Sequence, residues 1–241
     1  ACQMCARPHS RRHAGNDMKF AGGEGAPMRM PAVSDDALEG QRPDVLIIGG
    51  GISGASIARE LTRWNLGVLL AEKEPDLAMQ ASGRNDGEVH PGIDLGRGSM
   101  KHKYIRRGNA MYTDICRQLD VPFTRPGQYV CFRQGFLRPA AEAYVLKRRF
   151  IDGIADSRII SGKKLRELAP ALNGDFKFAI SNPDSGCVCP YGLTIAYGEN
   201  AAANGARVSL NTAVTGMETE NGRIRAVHTD RKSTRLNSSH T

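Results

Sequence analysis

The sequence predicts an α/β fold that begins with a Rossmann-like domain around a parallel central sheet. Three observations predict it. A continuous apolar run from Val45 to Ile48 has the composition of a buried parallel strand. A glycine-rich turn and an amphipathic helical pattern follow this run directly. A second apolar run, Val68 to Ala71, then ends at the acidic residue Glu72, and this order of elements is typical of a dinucleotide-binding βαβ unit.

The glycine turn is the clearest functional motif in the sequence, and it reads Gly49-x-Gly51-x-x-Gly54. We expect Gly49 to permit the tight turn, Gly51 to let the backbone approach a pyrophosphate, and Gly54 to let helix and strand pack closely. The helix that follows would present free N–H groups and the positive end of its dipole to the phosphates. Glu72 is expected to accept hydrogen bonds from ribose hydroxyls, which argues against a 2′-phosphate and therefore against NADP. These residues alone do not separate FAD from NAD.

A polar, glycine-rich loop follows the second strand, from Ala81 to Asp94. In this loop the sequence resembles the FAD-dependent glycerol-3-phosphate dehydrogenases and oxidases of the D-amino-acid-oxidase (DAO) superfamily of flavoproteins, whose loop reads T-S-x-x-N-S-G-x-x-H-x-G-x-D. The residues that keep this pattern are Ser82, Asn85, Gly87, His90, Gly92 and Asp94. Asp86 stands where serine is common, Glu88 where an apolar residue is common, and Pro91 replaces a small residue. These departures bear on the flavin contacts and not on the family.

The resemblance implies FAD as the cofactor and gives roles to several residues. His90 would lie near the flavin ring, where a neutral imidazole could take the proton of a substrate hydroxyl. The alternative is a histidine that only supports the loop or the flavin. Ser82 and Asn85 are candidate flavin or pyrophosphate contacts through their hydroxyl and amide groups, with bonding inside the loop as the alternative. The strand near Val214 would pass the adenine, and its backbone could bind the ring. No residue is predicted to bind a metal.

The resemblance runs from about Asp44 to Thr229 and indicates an N-terminal fragment of such a protein. We expect an FAD-binding domain built from residues 43–120 and 187–229, with the start of a mixed-sheet substrate domain at 121–186. Residues 1–42 are predicted to be an unstructured or spurious extension. Residues 230–241 contain DRKSTRLNSSH, which matches a translated sequencing-library adapter, so this tail is predicted to be artefactual and the C-terminal part of the enzyme missing. We therefore expect the 241-residue chain itself to fold poorly and to be inactive.

Other segments carry helical and hairpin patterns. Helices are predicted at 139–154, with a basic polar face of Lys147, Arg148 and Arg149, at 161–168 and at 193–204. Strands are predicted at 208–210, 213–219 and 224–227, with Asn221-Gly222 as the hairpin turn. His102 is expected on the surface of a helix.

The expected function is that of an FAD-dependent oxidoreductase acting on the CH–OH group of a small hydroxy acid or polyol phosphate. The leading hypothesis is oxidation of sn-glycerol 3-phosphate to dihydroxyacetone phosphate, with electrons passing to a quinone, a partner subunit or oxygen. The nearest alternative is an L-2-hydroxyglutarate dehydrogenase or oxidase, whose loop has a similar N-S-G-x-x-H-x-G pattern, and an inactive fragment of either is a third. An NAD-dependent dehydrogenase is disfavoured by the loop from Ser82 to Asp94.

Composition narrows the remaining classes of function. The net charge of +8 is dispersed and forms no basic stripe with interleaved aromatic residues, so it predicts an anionic small-molecule substrate and no nucleic acid. The sequence has no apolar run of about 18 residues and no secretory apolar segment, which favours a cytoplasmic location. The resemblance also allows peripheral docking on the inner membrane. Cys2-x-x-Cys5 lacks the second pair that a zinc site needs.

Overall fold

The computed structural model describes residues 41–92, 95–96, 98–154 and 156–230. The predictions for residues 1–40, for Asp94 and for the tail from 231 onwards lie outside these described residues. The described residues form two compact units. The first unit contains residues 41–86, 117–121 and 189–230, and the second contains residues 87–116 and 122–188. The domain boundaries drawn from the sequence stay predictions.

The secondary structure alternates between strands and helices along the chain. In order, the elements are β1 (Val45–Ile48), α1 (Ile52–Leu61), β2 (Val68–Ala71), β3 (Glu88–Val89), α2 (Met100–Gln118), β4 (Phe123–Thr124), β5 (Gln128–Phe132), α3 (Arg138–Phe150), β6 (Arg158–Ser161), α4 (Gly162–Leu168), β7 (Phe178–Asn182), β8 (Gly186–Val188), α5 (Pro190–Ala203), β9 (Arg207–Ser209), β10 (Val214–Glu220) and β11 (Arg223–Thr229).

The first unit contains the predicted parallel sheet, in the order β1-β2-β9. All four residues of β2 are buried, as expected for a central strand whose two faces are both covered. In β1, an edge strand of the described sheet, the burial alternates instead, with Val45 and Ile47 buried and Ile48 47% exposed. Helices α1 and α5 supply Ala58 and Ala201 to the core, where they meet Ile47 and Leu70. Burial of this apolar cluster is the main contribution that holds the unit together.

The predicted elements near the end of the first unit are confirmed with shifted boundaries. Helix α5 begins at Pro190, before the predicted start, because the Cys189 sulfur caps it by accepting a hydrogen bond from the Gly192 N–H and proline suits the first turn. Gly205, at φ +98°, follows the end of this helix, as the sequence indicates. The hairpin β10–β11 turns at Asn221-Gly222, where both residues have positive φ, as a two-residue primed turn requires.

The second unit is built on antiparallel pairing. One sheet has the order β5-β7-β6 and another the order β3-β8-β4. All five residues of β7 are buried, and Phe178 stacks on Phe132 with ring centroids 4.7 Å apart. The predicted helix at 161–168 is confirmed as α4, with Ser161 as its N-cap accepting a hydrogen bond from the Lys164 N–H.

The predicted helix at 139–154 is α3, and its predicted basic face is wrong at one residue. Arg148 is buried and pairs with Asp152 at 2.8 Å, because it shares the inward face of the helix with Ala141 and Val145. Its guanidinium also donates to the Tyr144 hydroxyl at 3.0 Å. Burial acts to lower the pKa of Arg148, but the hydrogen bonds to Tyr144 and Asp152 outweigh it and raise that pKa above its usual value.

The prediction that His102 lies on the surface is also wrong, since it is only 9% exposed. The buried residues of α2 are His102, Asn109 and Cys116, which are seven residues apart in the sequence. Seven residues make about two helical turns, so these three side chains share one face of the helix. That face is turned into the second unit, and it carries two polar residues where an apolar stripe is usual.

Candidate cofactor and catalytic sites

The glycine turn lies at the carboxyl end of β1, where it leads into α1. Gly49 has φ +103°, a conformation that favours glycine, and its N–H donates to the Ala71 carbonyl at 2.8 Å. Gly51 is the N-cap of α1 and has no side chain, so it cannot itself cap the backbone N–H groups of the first helical turn. This is the local geometry that a phosphate needs at a helix N-terminus.

Close packing excludes a side chain from the later glycines of the turn. A Cβ atom on Gly54 would overlap the Gly49 carbonyl oxygen and would lie 3.3 Å from Ile47 Cγ2. A Cβ atom on Gly51 would lie 2.9 Å from the Ser82 hydroxyl. At Gly50 the restriction comes from side chains, because a Cβ atom there would overlap Leu77 and lie 3.1 Å from Glu72. The turn therefore keeps its backbone uncovered for a ligand only as long as these positions remain glycine.

Glu72 follows β2 directly and is 8% exposed. One of its carboxylate oxygens accepts a hydrogen bond from the Gly50 N–H, and the other accepts from the Glu74 N–H at 2.9 Å. The Glu72 main chain is also held, since its carbonyl accepts from the Thr212 N–H at 2.7 Å. A carboxylate can accept about four hydrogen bonds, so both oxygens retain capacity for hydroxyl donors. The carboxylate is thus fixed beside the glycine turn, where the sequence predicts a ribose contact.

Ser82 lies at the start of α1, although it is distant from that helix in the sequence. Its hydroxyl accepts a hydrogen bond from the Ile52 N–H at 2.9 Å, so it satisfies one of the amides of the first helical turn. The same hydroxyl can still donate its own proton, since a serine hydroxyl both accepts and donates. Ser82 therefore borders the predicted phosphate position and also closes the loop onto the helix.

Asn85 makes the bonds inside its own loop that were the alternative in the sequence interpretation. Its amide nitrogen donates to the carbonyls of Ala81 and Ser82, each at 3.0 Å. Val214 begins β10 and pairs with Thr229 of β11. Flavin or adenine contacts for Asn85 and Val214 stay predictions.

His90 belongs to the second unit and follows the short strand β3. Its imidazole is 46% exposed, and Nδ1 lies 3.6 Å from the Glu88 carboxylate. Glu88 is fixed in turn, because its carboxylate accepts hydrogen bonds from Gln128 at 2.9 Å and from Ser185 at 3.1 Å. Glu88, which stands where an apolar residue is common in the family loop, is thus an acid held beside the histidine. Of the two ring nitrogens, Nδ1 is the one that faces Glu88.

A cavity of about 330 Å³ lies in the same unit, next to the backbone that follows His90. It is lined by Pro91 and by four polar residues: Arg106, Asn109, Arg125 and Asp184. The sequence interpretation missed Asn109 and Arg125 as well as Gly50. The unbroken run of three glycines from Gly49 to Gly51 could have indicated Gly50, and the seven-residue spacing on α2 could have indicated Asn109.

The residues around the glycine turn fit FAD as judged by their own geometry. The N-cap residue of α1 is a glycine, close packing keeps the turn free of side chains, and a buried carboxylate stands beside it. In the described residues, no group of three or more His, Cys, Asp or Glu side chains is placed to hold a metal ion. None of the described helices is long and apolar enough to cross a membrane.

Comparison with known proteins finds sequence similarity to two kinds of dehydrogenase. The chain is 36% identical over 176 residues to the glycerol 3-phosphate dehydrogenase of Caloramator mitchellensis. The matched region covers 73% of this chain and 36% of that protein. It is 30% identical over 174 residues to the mitochondrial L-2-hydroxyglutarate dehydrogenase of Nematostella vectensis, covering 71% of this chain and 38% of that protein. The chain thus spans well under half the length of these two relatives.

Two solved structures share the fold over most of the chain. The glycine oxidase of Bacillus cereus ATCC 14579 superposes with a TM-score of 0.70 at 25% identity, covering 78% of this chain and 53% of that one. The L-α-glycerophosphate oxidase of Mycoplasma pneumoniae, solved with FAD bound, superposes with a TM-score of 0.69 at 25% identity, covering 77% of this chain and 49% of that one.

The family follows from these matches together with the glycine turn, the acid beside it and the loop that carries His90. A family model described as FAD dependent oxidoreductase matches residues 44–238, most of the chain. The resemblance to DAO flavoproteins seen in the sequence and the α/β fold with its Rossmann-like parallel sheet are both confirmed. The chain belongs to the DAO family of FAD-dependent oxidoreductases, whose cofactor is FAD.

Proposed function

We propose that the gene product oxidises sn-glycerol 3-phosphate to dihydroxyacetone phosphate. The gene product is here the protein encoded by the whole gene that carries this sequence. The observation that carries the FAD part of this proposal is the closely packed glycine turn at the start of α1 with the buried Glu72 carboxylate beside it. The choice of substrate is supported by the 36% identity to a glycerol 3-phosphate dehydrogenase, against 30% to an L-2-hydroxyglutarate dehydrogenase.

The first unit binds the dinucleotide in this proposal. Amides at the start of α1 donate to the pyrophosphate, Gly49 and Gly51 keep the turn uncovered, and Gly54 holds the helix against the strand. Glu72 accepts hydrogen bonds from ribose hydroxyls. Ser82 and Asn85 shape the loop on the phosphate side, and the backbone at Val214 binds the adenine.

His90 is the base in this proposal. Bound FAD would supply the acceptor for the hydride that leaves the carbon carrying the hydroxyl. His90 takes the hydroxyl proton at Nε2, since Nδ1 is the nitrogen that faces Glu88, 3.6 Å away.

The experiment is steady-state turnover of the gene product with glycerol 3-phosphate, using a redox dye as electron acceptor. We expect His90→Ala to lower kcat by about 10²- to 10⁴-fold, the range for loss of a general base. His228→Ala serves as the matched control, because that histidine is exposed on the hairpin and pairs with Glu218. Wild-type kcat in His90→Ala would exclude His90 as the base.

L-2-Hydroxyglutarate is the second candidate substrate, favoured by the match to a dehydrogenase of that name at 30% identity. The same assay decides between them, because the true substrate should have the higher kcat/KM by well over tenfold. The electron acceptor is proposed to be a quinone, a partner subunit or oxygen. Comparing turnover with a soluble quinone and with oxygen alone separates these acceptors. If a quinone is the acceptor, we expect a cytoplasmic protein that docks peripherally on the inner membrane. Salt extraction of membranes tests this location.

A further inference from the structure

The main chain at His90 lies at the point where strand pairing ends. Strand β3 has two residues, and its register with β8 stops at Val89 opposite Gly186. His90 therefore follows the last ladder pair, and its position depends on whatever bonds its own backbone makes. This matters for the proposed function, because a base works only when its imidazole is held at the correct place.

Asn109, from the middle of α2, provides such bonds. Its amide nitrogen lies 3.2 Å from the Val89 carbonyl, 3.0 Å from the His90 carbonyl and 2.9 Å from the Asp184 carbonyl. The residue is only 9% exposed. One buried amide thus joins the end of β3 to the turn before β8.

Arg125 fixes the orientation of that amide. Its guanidinium donates to the Asn109 side-chain oxygen at 3.0 Å and to the Asn109 main-chain carbonyl at 2.9 Å. It also donates to the Asp184 carbonyl at 2.6 Å and lies over the Phe123 ring at 5.0 Å. Because arginine only donates, the oxygen of the Asn109 amide must face it, and the nitrogen must face the three carbonyls.

We propose that Asn109 and Arg125 are positioning residues that fix the His90 backbone and, through it, the imidazole of the base. The proposal rests on the proposed function, since it acts through His90. It explains why a helix face that is normally apolar carries an asparagine, and why the residue has to be an amide. An aspartate at 109 would keep the bond to Arg125 but would place a carboxylate oxygen against three carbonyl oxygens.

The first test is kinetic and uses Asn109→Asp in the gene product. We expect kcat for glycerol 3-phosphate to fall about 100-fold, the usual cost of a small misplacement of a catalytic group. The KM and the bound FAD should stay near the wild-type values. Asn173→Asp, the same change at an exposed site in the same unit, is the matched control and should behave as wild type.

A double-mutant cycle separates positioning from general loss of structure. In a His90→Ala background, Asn109→Asp should lower kcat by no more than about twofold, because there is no imidazole left to position. An equal fall in both backgrounds would mean that Asn109 is only structural and would overturn the proposal. If Asn109→Asp does not fold, Arg125→Lys takes its place, since lysine keeps the charge but loses the planar fork.

Hydrogen–deuterium exchange tests the Asn109 bonds without an activity measurement. The clamp below means the hydrogen bonds from the Asn109 amide to the carbonyls of Val89, His90 and Asp184. The peptide covering residues 87–92 should exchange faster in Asn109→Asp than in wild type or Asn173→Asp. Unchanged exchange would overturn the clamp even where the enzyme is active. Wild-type turnover in His90→Ala would instead overturn the proposed role of His90, and with it the positioning role. Faster exchange in Asn109→Asp would still show that the clamp itself exists.

Discussion

Gly54→Ala tests the close packing on which the dinucleotide site depends. The added Cβ would overlap the Gly49 carbonyl oxygen and would lie 3.2 Å from the Gly49 carbonyl carbon and 3.3 Å from Ile47 Cγ2. Two of these three neighbours are backbone atoms of the turn, so no side-chain rotation can relieve the overlap. Either α1 or the turn has to move.

The magnitude follows from what that movement costs. Overpacking a well-filled core typically costs about 1 to 3 kcal/mol, and we expect the upper end because backbone must shift. A displacement of about 0.5 to 1 Å also forfeits a quarter to a half of the dispersion energy at each contact that opens. Gly54→Ala should therefore lower the free energy of unfolding of the first unit by about 3 kcal/mol. Because the start of α1 moves with it, FAD should bind at least about tenfold more weakly.

The assays are urea denaturation of the gene product and titration with FAD followed by flavin fluorescence. Gly108→Ala is the matched control, since a Cβ atom on this glycine of α2 meets open space. That change should raise stability by about 0.5 to 1 kcal/mol, because alanine is the better helix former. The packing argument is refuted if Gly54→Ala is as stable as wild type and binds FAD equally well.

Two further predictions concern stability. Burial raises the pKa of Glu199 above its ordinary 4.5, and Asp76 is the smaller cause of the rise. The ionised carboxylate therefore destabilises the fold at pH values above the raised pKa. The penalty is absent below pH 4.5, where the carboxyl is protonated in the folded and the unfolded protein alike. Glu199→Gln should therefore raise Tm at pH 7, and the gain should vanish in scans below pH 4.5; an equal gain at both pH values would contradict this. Ser161→Ala removes the N-cap of α4 and should cost about 1 kcal/mol in urea denaturation, whereas Ser161→Asp should cost little; no loss in the alanine variant would argue against the cap.

The first unit could be predicted well because its signals are local. Periodicity gives β1, β2 and α5, and positive φ at Gly49 and Asn221-Gly222 follows directly from residue type. The start of α5 was missed by three residues, since a cysteine cap is not among the usual capping residues.

The second unit was harder because its polar contacts are not local. Nothing in the sequence near Asn109 indicates that it meets the carbonyls of His90 and Asp184, which lie 19 and 75 residues away in the sequence. Arg148 and His102 were assigned to the surface from residue type, yet helical periodicity places both on inward faces. For these two residues, residue type gave the wrong prediction because position on the helix determines whether the side chain is buried.

The most direct test of the account is anaerobic mixing of the purified gene product with glycerol 3-phosphate while the visible absorbance of its flavin is recorded. This measurement needs no electron acceptor, so it examines FAD binding and substrate oxidation alone. We predict that the protein purifies with about one FAD per chain and that glycerol 3-phosphate bleaches the flavin faster than L-2-hydroxyglutarate does. Protein that carries flavin but is bleached by neither substrate would contradict the proposed reaction, and protein that binds no FAD would contradict the site itself.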